Sequence, residues 1–492
     1  MQLTAELVAS KVYEAILECA TTLRPDVLKA ISEARIDEAG PQAKNVLCQL
    51  IRNAEIASSD RVPLCQDTGT VWVCLEIDEE TCVPGNIFSL VDDAVAQAYE
   101  EGRLRMSVLN DALFDRTNTS TNTPAFCELK FVKKRGAKLH VMLKGGGSDN
   151  ASRVVMLPPG AGREGIKKEI LDCVREKAAN ACPPLIIGIG VGATFDKVAG
   201  LAKHALLREV GSPAATSETA AFEAELLAEI NALGIGPAAL GGIATALAVH
   251  VETAPCHIAA LPLAINMGCS AMRSATIDLL EADSAEDGSP TPSPVIVDEM
   301  SAAVAPSSAE SSEAIRLTLP LSKETLANLS IGQEVLLSGP VFTMRDAGHE
   351  RALSYLEKEG ELPFGLDGQT IFYAGPTPAA ANRPLGSVGP TTASRMDFAT
   401  PALMDAGIVA HIGKGKRSSQ VIEACKRNGG IYLACVGGIA ALLATCVQEA
   451  ETIAWDDLGT EALRRLTLHD FPAIVAIDTN GRDLYREIEQ SN

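Results

Sequence analysis

The sequence is short of positive charge, of aromatic residues and of long hydrophobic runs. Its 492 residues include 42 basic and 63 acidic side chains, a formal net charge of −21, which argues against a nucleic-acid-binding protein. Aromatic residues make up only 4% of the chain, which favours close-packed α/β layers over an aromatic-rich sandwich. Because 47% of the residues are hydrophobic, the chain can still bury substantial cores, and disorder throughout is excluded.

The longest apolar stretch, residues 431–447, contains two adjacent glycines. It is short for a membrane span and predicts a buried strand, turn and helix. The first residues include Glu6, Glu14 and Glu18 and lack a signal-peptide core. We therefore expect a cytoplasmic protein without membrane association.

Pairs of the form CxxC are also absent, so the 13 cysteines show no zinc-finger spacing. An odd number of cysteines without a secretory signal indicates reduced thiols. Cys65, Cys182 and Cys269 stand beside polar or proline-rich segments, but 117 and 87 residues separate them. Spacing alone leaves two interpretations open, a three-cysteine metal site and ordinary packed thiols.

Residues 281–314 are rich in Ser, Ala, Pro and acidic residues, which predicts a linker between domains at 1–280 and 315–492. Apolar periodicity predicts helices at 3–34, 41–58, 87–102, 165–181, 194–209 and 217–233, and then at 347–359, 400–406, 418–428 and 437–448. It predicts strands at 71–77, 125–134 and 138–144, the last two as a hairpin, and then at 315–320, 334–343, 370–374, 409–413, 430–434 and 473–478.

Two glycine-rich segments miss the spacing of nucleotide-binding loops. Residues 188–192 follow an apolar run and fail the dinucleotide pattern, so they predict a tight turn from strand to helix. Residues 413–418 place Gly415 where a Walker loop needs Ser or Thr. The cations Lys414, Lys416 and Arg417 there would suit either an anion site or a solvated turn.

Several loops combine glycine with reactive or charged side chains. Cys65, Gln66 and Asp67 lie together before a strand, and the glycines at 145–147 allow a ligand close to the backbone. Arg345 and Arg395 follow strands and would suit a substrate with carboxylates, or ion pairs within the protein. His250 and His257 are seven residues apart across Pro255, which excludes a helical zinc motif and leaves one histidine open as an acid or base.

These segments together resemble the iron–sulfur-dependent class I fumarate hydratases of the fumarase and tartrate dehydratase family, over nearly the whole chain. The matching segments include PLCQDTGT, KGGGSDN and HVETAPCH in the first part, and GPTTASRMD and IGKGKRSS in the second. The resemblance implies an α/β fold in two domains, a cluster-binding N-terminal domain and a swivelling β/β/α-type C-terminal domain. It also implies a homodimer acting on a small dicarboxylate.

By the same resemblance, Cys65, Cys182 and Cys269 would hold a [4Fe–4S] cluster whose fourth iron has no protein ligand and acts as a Lewis acid. Thr391 would exchange the carbon-bound proton, activated by Asp67, with His257 close to the substrate. The residues implied in substrate binding are Gln66, Arg105, Gly146, Arg345, Arg395 and Lys414.

The implied reaction is the reversible hydration of fumarate to L-malate. Mesaconate stays open as a substrate, because Gly241–Thr245 lacks the lysine and one threonine of the related GGKTT segment. L-Tartrate stays open as the other substrate of the family, although KGGGSDN and HVETAPCH resemble the fumarase branch. A nicotinamide-dependent dehydrogenase would use residues 188–192, and a non-catalytic binding protein would make the three cysteines core thiols.

Overall fold

The computed structural model describes residues 3–279, the first block, and 314–491, the second block. Apart from Ala314, the predicted linker lies outside the described residues. The helices of the first block are α1 (Ala5–Thr21), α2 (Pro25–Asp37), α3 (Pro41–Asp60), α4 (Val91–Glu101), α5 (Gly146–Asn150), α6 (Gly162–Ala181), α7 (Phe195–Ala205) and α8 (Ser217–Asn231). Its strands are β1 (Thr70–Ile77), β2 (Phe126–Phe131), β3 (Ala137–Lys144), β4 (Arg153–Leu157), β5 (Leu185–Ala193), β6 (Ala246–Cys256), β7 (Leu261–Gly268) and β8 (Ser274–Asp278).

The second block contains fewer helices and one large sheet. Its helices are α9 (Lys323–Ala327), α10 (Asp346–Glu359), α11 (Thr400–Asp405), α12 (Ser419–Asn428), α13 (Ala440–Thr445) and α14 (Leu484–Ser491). Its strands are β9 (Ile315–Thr318), β10 (Glu334–Thr343), β11 (Thr370–Phe372), β12 (Ala410–Gly413), β13 (Ile431–Ala434), β14 (Val447–Ala454) and β15 (Leu463–Ile477). The predicted α/β class with two domains is confirmed. Within the described ranges, no helix has both the length and the apolar character needed to cross a membrane.

The single helix predicted at 3–34 is wrong, because two helices fill this segment. The amide of Thr22 closes α1 on the Glu18 carbonyl, and Pro25 begins α2. Proline is tolerated in the first turn of a helix and not in its interior. The apolar period continues across the break because both helices bury their apolar faces.

The first block contains two four-stranded sheets, ordered β2-β1-β3-β8 and β4-β7-β5-β6. The predicted hairpin of 125–134 with 138–144 is wrong, because β1 lies between these strands, parallel to β2 and antiparallel to β3. The hydrophobic pattern located both strands, but their partner comes from a segment about fifty residues earlier. Neighbours in sequence were therefore not neighbours in the sheet.

The glycines at 188–192 lie inside β5 and do not form the predicted turn. A Cβ atom at Gly188 would overlap the Ala202 carbonyl of α7, and one at Gly190 would overlap the Val198 carbonyl. Glycine thus lets α7 pack directly on the strand. The helix covers the segment that a dehydrogenase would have used for its dinucleotide.

The second block has a seven-stranded sheet of order β14-β15-β13-β12-β11-β10-β9, in which β15 also pairs with β10. The four strands from β10 to β13 run parallel in sequence order. Their carboxyl ends therefore meet at one edge, where open α/β sheets bind their ligands. The stretch 431–447 forms β13 and α13, as predicted, but the helix ends at Thr445 because β14 begins at Val447.

The two blocks share a continuous hydrophobic core and several hydrogen bonds. Asn53 of α3 is 1% exposed and lies at their boundary. Its side chain donates to the Leu64 and Gly438 carbonyls, both at 3.1 Å, and accepts from the Leu442 amide at 3.0 Å. A fully satisfied buried amide fixes the position of α3 against the second block.

Candidate active site

A cavity of about 290 Å³ lies between the blocks, and both contribute to its wall. From the first block come the loop after α3, the start of α5, the end of α6 and the loop after β7. From the second block come the loops after β10, β11, β12 and β13, all at the carboxyl edge of the parallel strands. Clefts between domains are the preferred places for small-ligand sites.

The structure brings all but one of the sequence-predicted site residues to this cavity. The predicted residues that line it are Cys65, Gln66, Asp67, Arg105, Gly146, Cys182, Cys269, Arg345, Thr391, Arg395 and Lys414. His257 is the exception, since it is exposed in the turn between β6 and β7 and does not line the cavity. Its Nδ1 accepts a hydrogen bond from the Ala259 amide at 3.1 Å.

Cationic side chains dominate the lining, and Asp67 is the one carboxylate that the described residues contribute to it. The cations are Arg105, Lys177, Arg273, Arg345, Arg395 and Lys414. Such an excess of positive charge in a partly desolvated cavity attracts an anion with more than one negative charge. The positive wall stands out in a chain of net charge −21.

Asp67 is held in its ionised form. Its Oδ1 lies 3.2 Å from Arg105, and its Oδ2 accepts from the Gly146 amide at 2.9 Å. Burial by itself would raise the pKa of this carboxyl, but Arg105 and Arg273 keep it below its usual range. An ionised carboxylate can accept a proton at neutral pH.

The arginines of the second block are partly engaged by acids of their own block. Arg395 makes two hydrogen bonds to Asp346, at 3.0 and 2.6 Å, and Arg345 lies 3.2 Å from Glu461. Burial, reinforced by the nearby Arg105, lowers the pKa of Arg345 to about 10, so it stays charged at neutral pH. Its Nε has no hydrogen-bond partner among the described residues. A substrate carboxylate could satisfy that donor.

Three thiols meet on one side of the cavity although they are far apart in sequence. Cys182 ends α6 in the left-handed conformation, with φ at 59°. Non-glycine residues rarely adopt this conformation. Cys182 lines the cavity together with Cys65 and Cys269. Burial raises the pKa of the Cys65 thiol to about 11, against the effect of Arg273. Binding of a metal group would therefore release protons here.

These residues fit an iron–sulfur cluster. Three thiols are the donors such a cluster selects, and they leave one metal position without a protein ligand. Beside them, Arg273 is 2% exposed, yet its Nε and Nη1 have no hydrogen-bond partner among the described residues. Cluster sulfurs accept hydrogen bonds and carry negative charge, which would satisfy this buried guanidinium.

Sequence reasoning missed Arg273, Asn180 and Gly437. Arg273 follows Cys269 by four residues in the same loop, and an arginine so close to a proposed cluster ligand was a signal that could have been used. Asn180 precedes Cys182 by two residues, but its residue type did not indicate a contact with Lys414. Gly437 is far in sequence from all three proposed cluster ligands. The Asn180 carbonyl accepts from Lys414 at 3.3 Å, and Lys414 also donates to the Cys182 sulfur at 2.6 Å.

Gly437 of the second block lies directly against Cys182. A Cβ atom there would overlap the Cys182 sulfur and approach Lys414 Cδ to 3.1 Å. We expect Gly437→Ala to displace the sulfur and lower cluster content at least tenfold. Iron and sulfide analysis with the visible absorption spectrum measures this. Gly429→Ala is unsuitable as a control because of its positive φ, whereas Gly200→Ala meets open space and should leave cluster content unchanged. Equal cluster contents in the two variants would contradict the prediction.

Comparison with known proteins covers nearly the whole chain. A family model described as "Fumarate hydratase (Fumerase)" matches residues 9–278, and one described as "Fumarase C-terminus" matches residues 293–488. The chain is 32% identical to the anaerobic class I fumarate hydratase of Escherichia coli, over 96% of this chain and 89% of that protein. It is 31% identical to the mitochondrial fumarate hydratase 1 of Leishmania major, over 92% and 84%.

About half of the chain also resembles a protein that is named for a different activity. The chain is 39% identical to the putative L(+)-tartrate dehydratase subunit alpha of Methanocaldococcus jannaschii, over 54% of this chain and 96% of that protein. A whole subunit of that protein thus corresponds to the first block. This likeness bears on the choice of substrate and on the boundary between the blocks.

Proposed function

Because the chain belongs to the class I fumarate hydratase family and is a hydro-lyase of that family, we propose that it catalyses the reversible hydration of fumarate to L-malate with a [4Fe–4S] cluster. The observation that carries the proposal is the cavity in which three thiols, one ionised carboxylate and six cations converge from both blocks. A dicarboxylate of four carbons matches the small volume and the positive charge. We also propose that the domains extend over 1–280 and 315–492, joined by 281–314.

Cys65, Cys182 and Cys269 would hold the cluster. When bound, it supplies a Lewis acid at the iron that has no protein ligand. Arg345 and Arg395 would bind the substrate carboxylates through their guanidinium forks, and Lys414 would add a point charge. Arg105, Gln66 and Gly146 of the first block line the same cavity. Binding from two blocks fixes the substrate in one orientation.

Thr391 and Asp67 would handle the proton. In the dehydration direction, the Thr391 hydroxyl oxygen takes the proton from C3 while its own proton passes to Asp67. The C3–H electron pair forms the double bond, and the C2 hydroxyl leaves as hydroxide, which takes up the released proton to give water. In the hydration direction, these transfers reverse. Thr391 is 6% exposed and lines the same cavity as Asp67. The carbonyl of the preceding Pro390 accepts a hydrogen bond from Gln66 at 3.3 Å, so the loops that carry the two groups meet at this cavity. A threonine needs such a partner because its free hydroxyl is a very weak acid.

His257 differs from the other predicted site residues because its imidazole lies in an exposed turn outside the cavity. That position does not support direct proton transfer by His257 within one chain. We expect His257→Asn to retain turnover within about threefold of the unaltered protein, measured as kcat and KM at saturating cluster content. A loss of 100-fold or more would give His257 the catalytic role that the resemblance implies, and would place the turn in the site of an assembled dimer.

The exposed strand β2 supports the proposed homodimer. All six of its residues are exposed, among them Phe126, Leu129 and Phe131, and it forms the edge of its sheet. Open edges with apolar side chains are surfaces that proteins cover. Sedimentation of the full chain tests this. All thirteen cysteines are free, which supports the proposal of a reducing, cytoplasmic location.

Anaerobic turnover of reconstituted protein on fumarate, mesaconate and L-tartrate, side by side, tests the substrate. Dominant fumarate turnover that disappears in Cys182→Ser supports the proposal. Dominant L-tartrate turnover would instead follow the likeness to the Methanocaldococcus subunit and keep the hydro-lyase chemistry. Dominant mesaconate turnover would assign the altered Gly241–Thr245 segment to a methylated substrate. No cluster-dependent turnover on any of them would overturn the mechanism.

A further inference from the structure

A second group of metal-ligating side chains lies between the two sheets of the first block, away from the cavity. Glu76 comes from β1, His140 from the neighbouring β3, and His204 from the last turn of α7. One ligand atom from each lies within 4.8 Å of the other two. None of the three lines the cavity between the blocks.

Both imidazoles are already oriented by partners on their other nitrogen. His140 Nδ1 lies 2.9 Å from the Thr276 hydroxyl of β8, and His204 Nδ1 lies 2.6 Å from the Glu252 carboxylate of β6. This leaves both Nε2 atoms directed at Glu76. Metal-binding histidines show this arrangement, in which a carboxylate or hydroxyl holds the distal nitrogen and fixes the ring.

Two of the three separations between ligand atoms are close to those around a tetrahedral ion. Glu76 Oε1 lies 2.9 Å from His204 Nε2, and Glu76 Oε2 lies 3.5 Å from His140 Nε2. Ligand atoms bound at zinc's usual distances are about 3.4 Å apart in a tetrahedron, so the existing separations lie on either side of this value. His140 Nε2 is buried and has no hydrogen-bond partner among the described residues. This nitrogen is directed toward Glu76 and is available as a metal ligand.

A cation already occupies this position, and it can leave. Lys130 of β2 places its Nζ 2.9 Å from Glu76 Oε1 and 3.3 Å from His204 Nε2. Its side chain is 44% exposed, whereas that of Glu76 is 13% exposed. In the single chain, Lys130 can therefore turn into solvent while the carboxylate stays. Glu76 and Glu252 together would balance the two charges of a divalent ion.

We propose that Glu76, His140 and His204 bind one divalent transition-metal ion of borderline character, with Zn²⁺ as the best match, in place of the Lys130 ammonium group. Two imidazoles and one carboxylate are a usual zinc set, and water completes the coordination. The ion would fasten β1 and β3 of one sheet to α7, which packs on the other. Glu252 and Thr276 act as positioning residues that hold the rings.

Metal content and thermal stability of the full chain, handled anaerobically, test the proposal with Zn²⁺ and with Co²⁺ as a spectroscopic probe. We expect the unaltered protein to retain one equivalent of Zn²⁺ that His204→Gln lacks. Bound Co²⁺ at this site should give visible bands without the near-ultraviolet thiolate absorption that cysteine ligands produce. Zn²⁺ should raise the unfolding midpoint of the unaltered protein and leave that of His204→Gln in place.

Two further variants keep the test independent of folding defects in His204→Gln. Lys130→Ala removes the competing cation from an exposed position, so it should tighten Zn²⁺ binding at least threefold. Glu252→Gln removes a positioning carboxylate and should weaken binding about 10–100-fold. Equal Zn²⁺ affinity in Lys130→Ala, Glu252→Gln and the unaltered protein would overturn the proposal, as would a thiolate spectrum for the added equivalent of Co²⁺. Glu76, His140 and His204 would then only form hydrogen bonds and ion pairs that join the two sheets.

Discussion

Thr391→Ala should lower kcat/KM on fumarate by about 10²–10⁴-fold, the range by which a positioned acid or base accelerates proton transfer. The reason is that the hydroxyl of Thr391 is the proposed exchange group for the C3 proton, while Asp67, whose pKa is lowered, lines the same cavity. The backbone amide of Thr391 donates to the Tyr373 carbonyl at 2.7 Å, and alanine keeps that bond. The loop and the cluster should therefore be preserved, and steady-state kinetics with a cluster spectrum on the same sample checks both.

The neighbouring Thr392 provides a matched control. Its hydroxyl also lines the cavity, so Thr392→Ala removes an equal volume and an equal polar group without touching the proposed base. We expect its loss of kcat/KM to stay below about tenfold. Thr391→Ser should recover a substantial part of the activity because it restores the hydroxyl. Equal losses in the two alanine variants would show that Thr391 acts only by filling space.

Cys182→Ser should abolish turnover together with the cluster. Serine is a hard oxygen donor, which soft iron–sulfur centres accept poorly. Lys414 donates to the Cys182 sulfur at 2.6 Å. It can donate to the serine hydroxyl in its place, so the substitution leaves no unpaired polar group at this position. Iron and sulfide content, visible absorption and anaerobic turnover should all fall to background in the same preparation.

Cys173→Ser is the control for this substitution. Cys173 lies in α6, the helix that Cys182 ends, is fully buried, and donates to the Ala151 carbonyl at 3.7 Å. Its thiol does not line the cavity, so cluster content and turnover should stay within about twofold of the unaltered protein. Retained cluster in Cys182→Ser would remove Cys182 from the ligand set and leave the mechanism without its metal site.

The sequence predicted most helices, and most strands of two of the three sheets, because their hydrophobic periods are local, but it predicted no strand of the sheet β4-β7-β5-β6. The strand at 334–343 has the predicted bounds, and the helix predicted at 217–233 ends two residues earlier, at Asn231. Pairing was less predictable, since β1 separates β2 from β3, and no local pattern reports a third strand between two neighbours. Strand β14 was missed because four of its eight residues, Gln448, Glu449, Glu451 and Thr452, are polar and exposed, which leaves no regular apolar alternation.

In the candidate site, too, the local features could be predicted from the sequence and their spatial grouping could not. Loops rich in glycine and cations could be found one at a time, but nothing in their spacing indicates that Cys65 and Cys269 share a cavity. The resemblance supplied that grouping before the coordinates did. Arg273 was missed although it is the most deeply buried cation there, because burial of a charged side chain depends on contacts from both sheets and the loops above them.

The position of Gly437 and Lys414 over Cys182 also bears on the stability of the contact between the two blocks. Both residues belong to the second block and cover a thiol of the first, so binding of the proposed cluster would be coupled to the packing of the two blocks. Coupling of this kind is reciprocal. Whatever affinity the proposed cluster would gain from the packed blocks, the packed blocks would gain as stability from the cluster.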